Sequence, residues 1–303
     1  MAYTAITNIV NPEVLADMAS AKFPTELKIS DPSNGLVVID SSSALGTEGT
    51  IFTIPSYARI GSFGALVEGT PATPGNVTTL KERAEVQRGI LAQQVLDTAM
   101  LVGRNGDKIL DELSTQIARR AAEYVDSAVV AKLDNTPNIV DITASGAGTM
   151  TVDAVTDAML KLGDQHTKMG GGKLVMHSKV YGDLLKLGLI QNDYQSKLGT
   201  IQTGRIPVLS GFPVIVCDTV TTTAVTSPST FTRYNTYLVG PNALGLFYQK
   251  QLNVEFDRDI LLKSSILSAD IHFAPHLFGV DSISAALIAQ DARSVWAVKI
   301  LSK

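Results

Sequence analysis

The chain has 303 residues, 45% hydrophobic and 18% charged, a globular balance with ample material for a core and an unusually charge-poor surface to hide. A formal net charge of −4 excludes a chain-wide basic footprint for nucleic acid and leaves only a local one open. Cys217 is the only cysteine, which excludes an intrachain disulfide and a thiolate metal cluster, and no run approaches the roughly 20 apolar residues of a membrane span.

Residues 1–45 carry little periodic signal. A short helix is expected over Pro12–Lys22, with Asn11 as cap and Pro12 in the first turn. The remainder, with Asp31-Pro32-Ser33-Asn34-Gly35 and Ser41-Ser42-Ser43, reads as an arm that is ordered only if something holds it. Residues 46–95 read as a β excursion. Gly49–Pro55 is rich in β-branched and aromatic residues, Glu68–Asn76 is a turn-rich tip, and Val77–Arg88 is a polar return strand. Neither limb can fill a core, so the ribbon is expected to lie on another subunit. Gln94–Val102 is expected to be a short helix ended by Gly103.

Asn105–Asn135 follows as one long amphipathic helix. Leu110, Leu113, Ile117, Ala121, Tyr124, Ala128 and Ala131 recur at spacings of three and four, and Asp111, Glu112, Arg119, Arg120, Glu123 and Asp126 fall between them. Pro137 ends it, because the residue before a proline avoids the helical region. Beyond Pro137, 138–150 reads as strand and loop. A helix is expected over Thr151–Met169, a buried strand over Lys173–His177 and a helix over Lys179–Leu187. Gly211–Val220 reads as a strand and Thr221–Thr232 as a loop, and a strand begins at Tyr237. Alternating Val254, Phe256, Ile260 and Leu262 mark a half-buried strand, and Ser294–Leu301 closes the chain as another.

Catalytic and metal signatures are weak. Met169-Gly170-Gly171-Gly172-Lys173 fails the phosphate-loop spacing, because Thr167 and Leu174 stand where Gly and Ser or Thr are needed; a glycine turn is the better reading. His272 and His276, near Asp270, would share a helical face, but Pro275 and the β pattern argue against a helix and so against metal ligation. Asp164, His166, His177 and Ser178 flank the glycine turn without a Gly-x-Ser-x-Gly elbow, so a hydrolase using His166 or His177 is a distant alternative. Lys81, Arg83 and Arg88 are interleaved with Glu82 and Glu85 and suit an acidic patch on a neighbouring subunit; Asp257-Arg258-Asp259 suits a salt-bridge network. Neither a cofactor nor a metal is called for.

The order of parts resembles the HK97-fold major capsid proteins of tailed bacteriophages. The resemblance rests on Gly49–Pro55 with the Val67-Glu68-Gly69-Thr70-Pro71 tip, the Ile117-Ala118-Arg119-Arg120…Tyr124-Val125-Asp126 helix and Lys173–Tyr181. It also rests on Ile215-Val216-Cys217-Asp218 and on Arg258-Asp259-Ile260-Leu261 with Ile266–Phe273. It implies an α+β fold with an N-arm over 1–45 and an extended β E-loop over 46–95. The first part of a P-domain would follow over 96–150, with its spine helix at about 105–135. The A-domain, a central sheet flanked by helices, would span 151–252, and strands would return to the P-domain over 253–303.

The resemblance further implies a non-enzymatic coat protein that self-assembles into pentamers and hexamers of an icosahedral head around double-stranded DNA. Assembly would take place in the host bacterial cytoplasm, without a membrane. About 45 residues precede the first clear strand, too few for a built-in scaffold, so a separate scaffolding protein is implied beside a portal and a decoration protein. Packaged DNA would be contacted non-specifically. Assembly contacts are expected at Glu68, Gly69, Pro71, Lys81, Arg83, Arg88, Arg258 and Asp259. An encapsulin-type nanocompartment shell is the alternative within the same fold.

Overall fold

The computed structural model describes residues 12–40, 49–57, 79–96, 106–143, 148–163, 170–187, 191–192, 207–226, 230–259, 264–279 and 295–303. Helix α1 (Pro12–Glu26) packs beside the much longer α2 (Gly106–Leu133), whose 28 residues make a rod about 42 Å long at 1.5 Å per residue. The interface is built from small and flat contacts, with Ala19 and Phe23 of α1 in one core with Ile117, Ala118 and Ala122 of α2. Lys22 donates to Ser114 Oγ and Thr115 Oγ1 at 3.0 and 2.9 Å, and Arg119 pairs with Glu26 at 3.3 Å.

The buried stripe of α2 differs from the expected one. Ile117, Ala118, Ala122, Val125, Val129, Val130 and Leu133 are buried, whereas Tyr124 and Ala131 are exposed and Ala121 is half-buried. A helical pattern rich in alanine admits two adjacent stripes. The one with small and β-branched residues wins because it lets both α1 and a sheet approach closely. Asp126, expected on the charged side, is buried. The stretch after α1 is likewise no loose arm: Leu27, Ile29, Leu36 and Val37 belong to the same core.

Two sheets and a ribbon complete the fold. Strands β1 (Val37–Asp40), β4 (Gln87–Leu96), β12 (Leu244–Asp259) and β13 (Ser264–Leu277) form a four-stranded sheet in the order β1-β12-β13-β4. Helix α2 covers one face of it. Gly89 of β4 permits this approach, since an added Cβ would stand 2.6 Å from the Tyr124 ring, which itself meets Phe273 edge-on at 5.6 Å. Strands β2 (Ile51–Tyr57) and β3 (Thr79–Glu85) form the ribbon, in register Ile51↔Glu85 to Tyr57↔Thr79.

The larger sheet contains β5 (Ile139–Asp141), β6 (Lys173–Met176), β7 (Gln191–Asn192), β8 (Pro207–Leu209), β9 (Phe212–Val216), β10 (Thr222–Val225), β11 (Phe231–Val239) and β14 (Ala297–Ser302). Its order is β5-β14-β11-β6-β9-β8-β7, with β10 also paired to β11. Helices α3 (Val152–Lys161) and α4 (Ser178–Lys186) pack on one face, where Leu174, Met176, Leu238, Val298 and Ile300 meet Ala154, Val155, Ala158, Val180 and Leu184. The opposite face, with Val175, Tyr237, Val239 and Ala297, joins the core of α2. Being buried on both faces, these strands read as continuous apolar runs.

Several local expectations are corrected. Gln94–Leu96 is strand, not helix, because β4 is held by pairing from Ser264↔Leu96 to Phe273↔Gln87. The expected return limb is two strands, β3 in the ribbon and β4 in the sheet, so Arg88 stands outside the ribbon. Helix α3 ends at Lys161, where Leu162 caps it and Gly163 takes φ +58°, a left-handed turn that suits glycine. The expected Thr221–Thr232 loop contains strand β10, whose threonines suit a pleated edge, and Tyr237–Val239 ends β11 rather than starting it.

Candidate assembly surfaces

The ribbon has two unlike sides. Phe52, Ile54 and Ala84 join Phe247, Ala274 and Phe278 in a small core on the face of the four-stranded sheet opposite α2. Glu82, on that same inner side, is buried and meets His276 Nε2 at 2.5 Å with both side chains at 0% exposure. Alternation along a strand that offers only Lys81, Glu82, Arg83, Ala84 and Glu85 cannot announce which side is inside. Glu82, read from sequence as a surface charge, is therefore a correction. Its buried carboxylate is tolerable because an imidazole faces it. On the outer side Ile51, Thr53, Pro55, Lys81, Arg83 and Glu85 are exposed.

Beyond the ribbon, the part of the four-stranded face that no described residue covers carries a polar row. Register places Arg88, His272 and Lys250 side by side across β4, β13 and β12. Lys250 donates to Asp270 at 2.6 Å, and that bond raises its ammonium pKa above the ordinary value. His272 Nε2 lies 3.9 Å from the same carboxylate. Arg88 is exposed, and Ile90 beside it is 77% exposed. His272 and His276 thus share a strand face rather than a helical one, and each has a carboxylate neighbour. Among the described residues no group of His, Cys, Asp or Glu can hold a metal ion.

Two aspartates fasten α2 to the rest of the fold. Asp126, 2% exposed, accepts the backbone N–H groups of Lys28, Ile29 and Ser30 at 2.9, 3.4 and 3.0 Å. Asp134, just past the helix end, accepts from Asn235 Nδ2 and Tyr237 OH at 2.7 Å each and from Thr221 Oγ1 at 2.5 Å. Lys299 donates to its carbonyl at 2.7 Å. Burial, then the Asp134 hydrogen bond, pushes the Tyr237 phenol far above its usual pKa. The sequence marked Asp134 only as a helix stop; nothing local signals its partners, which lie about a hundred residues away.

The chain matches the family described as phage capsid protein over residues 91–266, more than half its length. The chain belongs to that family. In solved structures the fold is similar to the acid-stable capsid of Helicobacter pylori bacteriophage KHP30, at 14% identity and TM-score 0.60, covering 88% of this chain and 86% of that one. It is also similar to the capsid of cyanophage P-SCSP1u, at 13%, 0.63 and the same coverages of 88% and 86%. The capsid of Ralstonia phage GP4 matches at 8% and 0.62, covering 91% of each chain. No curated protein matches in sequence. The expected α+β HK97-like fold and the capsid function are therefore borne out.

Within this capsid protein, His177 has a local structural use. Its Nδ1 accepts the backbone N–H of Lys179 at 3.0 Å, capping α4, so the lone pair of the nitrogen 3.5 Å from Ser178 Oγ is already engaged. Asp218 accepts the Ser178 N–H at 3.2 Å, and hydrogen bonding to Ser178 holds its carboxyl below the usual range. His166 lies outside the described residues, as do Glu68, Gly69 and Pro71. Arg258 and Asp259 occupy the far end of β12, opposite Ser265 and Ser264. Cys217 is a buried free thiol whose pKa is raised by burial.

Proposed function

We propose that this major capsid protein builds an icosahedral phage head from pentamers and hexamers of itself, enclosing double-stranded DNA held by non-specific contacts. The five stretches 1–45, 46–95, 96–150, 151–252 and 253–303 act as N-arm, E-loop, P-domain with spine helix, A-domain and return strands. Its role is structural and not enzymatic. Assembly takes place in the host cytoplasm with a separate scaffolding protein, a portal and a decoration protein. Glu68, Gly69, Pro71, Lys81, Arg83, Arg88, Arg258 and Asp259 serve as contacts between copies.

One observation supports this most: among the described residues the only apolar side chains that the β2–β3 ribbon packs on the sheet are Phe52, Ile54 and Ala84, and it presents a charged and apolar outer side. A two-stranded ribbon gains little by folding alone. Negative-stain microscopy of the expressed protein tests the reading, with closed shells or rings of five or six copies expected. A monodisperse monomer under all conditions would sink it. Nuclease-resistant DNA inside particles from infected cells is expected; a packaged enzyme in its place would assign a nanocompartment. Deleting Gly69–Asn76 should leave a folded chain that assembles poorly.

A further inference from the structure

Glu82 of β3 and His276 of β13 stand 194 residues apart in the chain and meet at 2.5 Å, both at 0% exposure. The box around them is apolar. Phe52, Ile54 and Ala84 close it from the ribbon, and Phe247, Ala274 and Phe278 from the sheet. The Phe278 ring meets that of His276 edge-on at 5.2 Å. Gly245, opposite His276 in register, lets the rings close in: a Cβ added there would stand 2.8 Å from the Phe247 ring and 3.0 Å from that of Phe278.

A carboxylate and an imidazolium in such a box cancel each other's charge. A further proton on the carboxylate leaves the imidazolium uncompensated by its partner, and loss of a proton from the imidazolium does the same to the carboxylate. Breaking a buried pair in either way is strongly destabilising, and two groups this close titrate as a unit. Other charged groups are placed farther along the strands. His272 lies four residues back on β13, with Asp270 3.9 Å from it and Lys250 and Arg88 beside it in register. Asp40 of β1 stands opposite Phe247 in register. Lys81, Arg83 and Glu85 lie on the outer side of the ribbon.

We propose that Glu82 and His276, held as carboxylate and imidazolium, form a pH-sensitive latch that fixes the ribbon base to the four-stranded sheet near neutral pH and releases it in acid. Glu82 favours the closed form as a carboxylate, so its contribution is present at neutral pH and is lost as the pH falls. His276 favours it as an imidazolium, so its contribution is lost as the pH rises. Release uncovers Phe52, Ile54 and Phe247 together, turning a small core into an apolar surface.

Hydrogen exchange of the full-length chain, read as protection factors so that the intrinsic pH dependence cancels, tests the latch. Relative to β14, amides of 51–57 and 79–86 should lose protection about tenfold between about pH 7 and about pH 4. Glu82→Gln removes the counter-charge of His276, so this loss should begin at a higher pH than in the unaltered chain. His276→Gln leaves a buried carboxylate, so its ribbon should be loose at neutral pH and tighten as the pH falls. A contact with a packing role alone would not give the two variants opposite pH dependences. Circular dichroism checks that each variant folds, and the unaltered chain decides the matter by itself if one does not. Ribbon protection that follows β14 at every pH, or variants whose pH dependence matches that of the unaltered chain, would overturn the latch. The measurement needs no assembly, so its failure is separate from failure of the shell reading.

Discussion

Strand β14 of the eight-stranded sheet buries five of its six residues, whereas β13 of the four-stranded sheet alternates half-buried and buried from Ile266 to Phe273. The first sheet has α3 and α4 on one side and the core of α2 on the other. The second has α2 on one side only; its opposite side is covered by the base of the ribbon and otherwise shows Arg88, Ile90, Lys250, Asp270 and His272. Among the described residues, one sheet is covered on both faces, and the other leaves part of a face and the outer side of the ribbon exposed. A chain with only 18% charged residues can carry such a surface because assembly removes part of it from water.

The contrast can be broken first in the two-faced sheet. Leu238 is fully buried, and Leu238→Ala should cost about 3–4 kcal/mol, read as a lower denaturant midpoint. Next comes the joint between the first stretch of chain and α2. Asp126→Ala leaves three backbone donors without their acceptor and should cost about 2–3 kcal/mol, with faster amide exchange at Lys28–Ser30; Asp126→Asn should restore part of it.

Smaller again is Tyr237→Phe, about 1 kcal/mol at neutral pH for the lost bond to Asp134. Its pH dependence has a definite sign. The folded state holds the neutral phenol, so its pKa lies above the unfolded value of 10.0 and its contribution is intact below that pH. Stability should fall as pH rises beyond about 10, and less steeply in Tyr237→Phe. Tyr248, raised by burial, adds to the same alkaline loss in both proteins. Last, Ile90→Ser on the uncovered face should change stability by less than about 0.5 kcal/mol. A larger loss would mean that this face is covered within the chain and would erase the comparison.

What was legible in the sequence follows the same division. Lys173–Met176 and Ala297–Ser302 announce themselves as apolar runs, and Gly106–Leu133 as a long periodic one, because burial there is decided by the element's own pattern. Strand β4 was hidden because Gln93, Gln94 and Ala92 have no strand pattern; ten paired positions with β13 make them extended. Glu82 and Asp126 were misplaced for a related reason. Polar residues are buried only where a partner far along the chain meets them, His276 in one case and the amides of 28–30 in the other. Lys81 and Arg83, expected as contacts between copies, are exposed on the outer side of the ribbon.

Helix α2 is fastened about a third of the way along to Lys22, about three-quarters of the way along through Asp126 and past its end through Asp134. A rod held at three stations behaves as a beam: its two ends cannot tilt independently, and a push at one is delivered to the other. In an icosahedral shell, copies occupy positions of unequal curvature. The difference has to be taken up where the chain leaves this frame. The base of the ribbon belongs to this frame as well, since Val86 packs on its small core with its N–H donated to Thr50 at 2.9 Å and Glu82 meets His276. Copies at different positions would then share one stiff body.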